Sequence, residues 1–311
     1  MKTNISLILI LCLLLGACKN GNASSQSKSE TPQDTIKAIK MPAIPQMMTA
    51  PEQRADFLAK HYWDNVNFAD TNYIHHPEVT EQAWADYCDL LNHVPLETAQ
   101  QAMRNVIDRT NVDKKVFTYI TDLADKYLYD PNSPMRNEEF YIPVLEAMIA
   151  SPVLNETEKI RPQARLKLAQ KNRIGTKALN FTYTLASGAQ GSLYQLKAEY
   201  LLLFINNPGC QACTETIEDL KNAPIINQLL QEKKLVLLSI YPDEELDEWK
   251  KHLSEFPNEW INGYDKKFTI KEEQVYDLKA IPTLYLLDKD KTVLLKDATA
   301  PAIEAYLMQH Q

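Results

Sequence analysis

Two cysteines, Cys210 and Cys213, stand with two residues between them in the stretch "NNPGCQACTE". Pro208 and Gly209 precede them and an acidic run follows. Thiols at this spacing can exchange electrons with a disulfide, supply half of a zinc site, or close an inert loop. Exchange needs an accessible thiolate and a second thiol to resolve the mixed disulfide. Zinc needs four ligands. The chain offers no second Cys-x-x-Cys, and His252 stands alone in "WKKHL". An inert disulfide closing so small a loop contributes little stability. A peroxidase-type thiol calls for Thr three residues ahead of the Cys, where Asn207 stands. Electron exchange is the chemistry these residues favour.

The compartment bears on that chemistry. Lys2 is followed by an apolar run, Ile5 to Leu15, too short for a comfortable membrane span, and then by "LLGAC". This resembles a bacterial lipobox. It implies a signal peptide over 1–17, cleavage before Cys18, and lipid on Cys18 that anchors the protein to a membrane. Residues 18–50 are rich in Ser, Asn, Gln and Pro and read as a flexible tether. Nothing acidic directly follows Cys18, which favours a periplasm-facing protein over a surface-exposed one. Cys12 leaves with the signal. Cys88, Cys210 and Cys213 then remain where disulfides can persist.

Two textures follow the tether. With 45% hydrophobic and 24% charged residues, the 311-residue chain can bury two ordinary cores. Its net charge of -8 argues against a nucleic-acid partner. Over 51–173 the period is helical. Trp84, Tyr87, Cys88 and Leu91 share one face, Val116 to Leu128 carry a second stripe, and Phe140 to Met148 a third. Thr80 and Pro95 read as helix starts. Over 174–311 short apolar runs, "YLLLFI" and "LVLLSIY", alternate with helical patterns. A strand–turn–strand precedes them, and "TLYLLDKDKTVLLK" ends the series as a hairpin before a last helix near Ala302–Met308. The expected fold is two-domain: an N-terminal all-α helical domain and a C-terminal α/β domain.

The features of 174–311 fall in the order seen in thioredoxins. They are the leading hairpin "NFTYTLASGAQGSLYQL", strand "YLLLFI", "CQAC" at a helix start, strand "LVLLSIY", and "AIPTLYLLDKD". This half resembles a thioredoxin fold of the membrane-anchored TlpA/ResA type, a central mixed sheet flanked by helices. The front half resembles the helical domain of unknown function that precedes thioredoxin-like domains in Bacteroidota lipoproteins.

The resemblance implies a lipid-anchored, periplasmic thiol–disulfide oxidoreductase. Cys210 at the helix start is the attacking thiol, because unpaired N–H groups and the positive dipole end favour an anionic sulfur there. Cys213, one turn deeper, is the resolving thiol. Pro282 is the cis-proline facing the cysteines, with Ile281 and Thr283 beside it as the substrate-binding strand edge. Protein disulfides are the substrates, an upstream thiol reductase restores the pair, and no cofactor or metal is implied. Gln211 and Ala212 add no charge between the cysteines, which favours a reductive or isomerising role.

Three departures stand out. Gly209 replaces the usual Trp, Lys291 replaces a turn Gly, and the two customary acid positions hold Phe204 and Thr216. Glu215 and Glu218 remain as candidate proton acceptors, with solvated helix acids as their plain reading. The alternative function is a protein- or peptide-binding lipoprotein whose thioredoxin-like half is a scaffold. His61, His75, His76 and His93 are too irregularly spaced for a metal site, and Cys88 reads as a small core residue. The basic stretch from Lys159 to Arg173 reads as a solvated face or as a partner for acids of the other domain.

Overall fold

The structure, a computed structural model, describes residues 38–310. The signal-peptide expectation, Cys18 and most of the tether lie outside the described residues.

Six helices form the front domain: α1 (Pro51–His61), α2 (Pro77–Leu91), α3 (Leu96–Arg109), α4 (Lys114–Ala124), α5 (Glu138–Ala150) and α6 (Glu156–Ala169). Their starts follow local chemistry. Asp113 accepts from the N–H groups of Lys115 and Val116, and Asn137 accepts from that of Phe140. Asn155 and Glu158 make a reciprocal capping box. Pro95 caps α3 as expected. Helix α2 starts earlier than Thr80, at Pro77, whose missing N–H costs nothing at a first helical position. Thr80 instead ties the first turn down by donating its hydroxyl to the Tyr73 carbonyl at 2.7 Å.

The three apolar stripes meet in one core. Trp84, Tyr87, Cys88 and Leu91 of α2 are buried there with Phe117 and Ile120 of α4 and Tyr141 and Leu145 of α5. Trp63 stands edge-on to Tyr87 with ring centroids 5.6 Å apart. The second stripe runs on past α4 into a π-helical turn, Asp125–Tyr129, which buries Leu128.

The rear domain is a mixed seven-stranded sheet: β1 (Thr182–Leu185), β2 (Gln190–Ser192), β3 (Tyr200–Ile205), β4 (Leu235–Tyr241), β5 (Ile261–Tyr264), β6 (Thr283–Asp288) and β7 (Val293–Lys296). The order is β2-β1-β5-β4-β3-β6-β7. β3, β4 and β5 run parallel, while β6 and β1 join them antiparallel. β5 carries the weak pattern "INGY" and had no sequence signature. The helices are α7 (Gln211–Asn222), α8 (Pro224–Gln231), α9 (Leu246–Lys251), α10 (Thr269–Glu272) and α11 (Ala300–Gln309).

Strand alternation sorts the core into two layers. Leu202, Phe204, Leu284 and Leu286 face α7, α8 and α11 through Ile217, Leu220, Ile226, Ile303 and Leu307. Leu201, Leu203, Tyr285 and Leu287 face Phe181, Leu193, Ile270 and Tyr276. Lys291, in the β6–β7 turn, takes the left-handed conformation (φ 69°) that a glycine would adopt without strain.

The basic stretch at the junction divides: Arg161 and Lys167 are exposed, as a solvated face expects, while others are not. Arg165 pairs with Asp125 at 2.7 Å and Arg173 with Glu139, so these cations find acids within the helical domain. Lys171 reaches across instead to carbonyls, those of Gln274 (2.6 Å) and Glu273 (3.2 Å). Asn172 adds a bond to the Val275 carbonyl at 2.8 Å.

Candidate functional site

β3 ends inside the sheet at Ile205, and the chain then turns at "NNPG" to launch α7 over it. Asn206 is buried and fixes the turn, donating its side-chain amide to Ser239 on β4 at 2.8 Å. Gly209 sits at φ +69°, with open space where a Cβ would point. The backbone conformation, rather than crowding, therefore favours glycine where thioredoxins usually have Trp.

Cys210 is the N-cap of α7, with extended backbone (φ -79°, ψ 118°). Its Sγ accepts the Cys213 backbone N–H at 3.3 Å, and its half-buried thiol also donates to the Ile281 carbonyl at 3.8 Å. Cys213 lies one turn on and is buried. Burial, with the Cys210 sulfur second, pushes the Cys213 thiol up to about 12, against a smaller downward pull from the Asn207 backbone N–H. The outer sulfur is thus accessible at a helix terminus, and the inner one is held protonated beneath it. Opposite them, the Ile281–Pro282 peptide is cis, and both residues are half-buried. Thr283 opens β6, buried, and donates its hydroxyl to the Ala280 carbonyl at 2.6 Å.

The two candidate proton acceptors lie elsewhere. Glu215 and Glu218 are exposed on α7, about 200° and about 140° around the helix from the buried face of Cys213. Glu215 is held by the Gln211 side-chain amide at 2.9 Å, and Glu218 pairs with Lys221 at 2.9 Å. The helical period alone separates them from the inner sulfur. Phe204, at one customary acid position, is buried edge-on against Trp260 at 6.3 Å. Thr216, at the other, donates to the Ala212 carbonyl at 2.9 Å.

Sequence reasoning missed Asn207. Its backbone N–H faces the Cys213 sulfur, and its side-chain amide donates to Asp243 at 2.9 Å. Lys271 donates to the same carboxylate at 2.7 Å. Burial works against the Asp243 charge, but Lys271 and Asn207 together hold the carboxyl below its usual range. A carboxylate so stabilised is a poor base, and its effect is to fix Asn207. These residues, with Pro208, Tyr241 and Glu244, line a cleft of about 360 Å³. Asp243 follows β4 and Lys271 lies on α10, so no spacing in the chain links them to Asn207.

The other flagged residues stay away from this site. His61 pairs with Asp64 at 2.7 Å and His252 with Glu255 at 2.6 Å, each on its own local segment. Cys88 is sealed in the helical core.

Residues 17–172 match the family model described as a domain of unknown function (DUF5106), and 198–293 match a model described as thioredoxin-like. No curated protein matches. Among solved structures, a thioredoxin-like protein from Bacteroides caccae ATCC 43185 is 83% identical, spans 89% of this chain and 100% of its own, and superposes with a TM-score of 0.87. The C-terminal domain of a protein from Bacteroides fragilis NCTC 9343 is 69% identical over 44% of this chain and 98% of its own, with a TM-score of 0.44. This chain therefore belongs to the thioredoxin-like proteins and carries a DUF5106 domain ahead of its thioredoxin-like domain.

Proposed function

We propose that this protein is a thiol–disulfide oxidoreductase of the bacterial envelope, anchored by lipid on Cys18 and facing the periplasm. The observation that carries the proposal is the seat of Cys210: half-buried at the cap of α7, with a protonated Cys213 behind it and the Ile281–Pro282 peptide across from it. The reaction moves two electrons. The Cys210 thiolate attacks one sulfur of a protein disulfide. An S–S bond forms to Cys210, and the other substrate sulfur leaves as a thiolate and takes up a proton. Cys213 then loses its proton and attacks the Cys210 sulfur, releasing the second substrate thiol. The substrate is reduced, and Cys210 and Cys213 become a disulfide. An upstream thiol reductase returns the two electrons. Ile281 and Thr283, flanking Pro282, offer backbone to the substrate strand. The uncharged Gln211 and Ala212 suit a reductive or isomerising direction.

A rival reading makes the protein a peptide- or protein-binding lipoprotein whose thioredoxin-like domain is a scaffold. It draws on Phe204, which packs on Trp260 where an acid would serve Cys213. Insulin reduction with dithiothreitol separates the two. Wild-type protein is expected to accelerate it and Cys210→Ser to abolish the acceleration, while Cys213→Ser accumulates a mixed disulfide with substrate. Identical rates for wild type and Cys210→Ser would leave the scaffold reading in possession.

A further inference from the structure

The helical domain grips the thioredoxin-like domain at a buried cluster of charge. Glu138, the first residue of α5, accepts from Lys279 at 3.2 Å through one oxygen and pairs with Lys296 through the other. Lys279 also pairs with Asp277 at 3.0 Å and Asp297 at 3.4 Å, and its ammonium lies 5.3 Å from the centre of the Tyr129 ring. Side-chain exposure is 8% for Lys279, 6% for Lys296 and 14% for Glu138. Burial opposes the Lys279 charge, but Asp297, Glu138 and Asp277 outweigh it and keep the ammonium protonated. Surface pairs of this kind contribute little. A desolvated pair with several partners resists being broken and holds geometry tightly.

The place of Lys279 in the chain gives the cluster its significance. It stands three residues before Pro282, and the Ile281 carbonyl between them touches the Cys210 thiol. The intervening turn is short and tied, by Lys279 N–H to Asp277 at 3.1 Å and by Thr283 to Ala280 at 2.6 Å. The Lys279 stem is itself buried, and a shift of its backbone has only this short, tied turn in which to dissipate before it reaches Ile281. Of the three carboxylates around Lys279, Glu138 alone comes from the helical domain.

We infer that Glu138 is a positioning residue for the exchange site, and that the helical domain sets the Ile281–Pro282 loop against Cys210 through the Glu138–Lys279 pair. The inference deepens the oxidoreductase reading and rests on it for its consequence in turnover, while the coupling itself can be read without any activity. It gives the helical domain a role in how a protein substrate is held: the loop that would pair with the substrate strand is braced from outside the thioredoxin-like fold.

The test uses the full chain and Glu138→Gln. The variant leaves Lys279 its two aspartates, while Lys296 loses its carboxylate and keeps its bonds to the carbonyls of Ala169 and Lys171. Glu139→Gln is the control, because Glu139 sits next along α5 and pairs with Arg173 rather than with Lys279. Hydrogen–deuterium exchange is expected to quicken roughly tenfold over residues 277–284 in Glu138→Gln alone, the scale of one lost charge-assisted hydrogen bond. In the insulin assay the same variant is expected to raise KM by more than it alters reduction of a small disulfide such as hydroxyethyl disulfide, which does not pair with the loop. Glu138→Asp, which keeps the charge and shortens the reach, gives the same loop-limited change should the Gln variant not fold. Unchanged exchange over 277–284, or equal quickening in Glu139→Gln, overturns the inference. Quickened loop exchange in Glu138→Gln, with a wild-type protein that reduces no disulfide, would uphold the brace and remove the oxidoreductase reading.

Discussion

Cys88 in the helical domain and Cys213 in the thioredoxin-like domain are both buried thiols on the inner faces of helices, and burial raises both. Around Cys88 stand Trp84, Tyr87 and Leu91, and burial is the whole cause of its shift. Around Cys213 stand a second, half-buried sulfur and the Asn207 N–H. A buried thiol becomes useful in exchange when a helix terminus and a partner sulfur sit beside it. Without them it is a small apolar residue that happens to contain sulfur.

Labelling tests that contrast most severely. With reduced protein and iodoacetamide at pH 8, Cys210 is expected to be alkylated, while Cys213 lags by roughly a thousandfold because so little of it is ionised. Cys88 is expected to stay unlabelled until the helical domain unfolds. Peptide mass spectrometry reads all three sites. Rapid labelling of Cys88 in folded protein would dissolve the distinction between the two regions.

Alkaline pH sharpens it. Both buried thiols have folded values above the ordinary thiol value of 9.0, so the unfolded chain releases these protons first. Their contribution to stability is complete below about pH 9 and is lost as pH rises toward the folded values. The urea midpoint is expected to fall between pH 9 and 11. Cys88→Ala is expected to flatten that fall by up to about 1.4 kcal/mol per pH unit, the limit for one titrating group. An unchanged slope would mean that Cys88 is less sealed than its surroundings indicate.

The smallest expected effect concerns the turn that delivers Cys210. Gly209→Ala places a side chain at φ +69° with no clash around it, so the cost is conformational, about 1 kcal/mol. A lowered melting temperature with α7 intact is the expected result. An unaltered melting temperature would mean that the turn tolerates side chains and that Gly209 answers to something other than backbone shape.

Much of this was legible in the chain. Stripes of period 3.6 placed Trp84, Phe117 and Tyr141 in a helical core, and short apolar runs became β3, β4 and β6 in the expected order. The order of "CQAC" and "AIPT" anticipated two segments that meet at Cys210 and Ile281. β5 escaped because "INGY" has too little apolar content to stand out from a loop. It is a strand because β4 and β1 pair with it on either side. Glu215 and Glu218 lie near Cys213 in the chain, yet the 100° step of a helix turns both away from it.

By itself the sequence determined the local physics: where helices begin, which faces are apolar, and which two thiols lie one helical turn apart. Those depend on residues within a few positions of one another. The tertiary structure alone decided which distant groups support them. Asn207 is steadied by Asp243 and Lys271, and the loop before Pro282 is held by Glu138 of another domain. Long-range pairs of polar groups leave no periodicity in a single chain, because their partners are chosen by packing and desolvation only once the elements have docked.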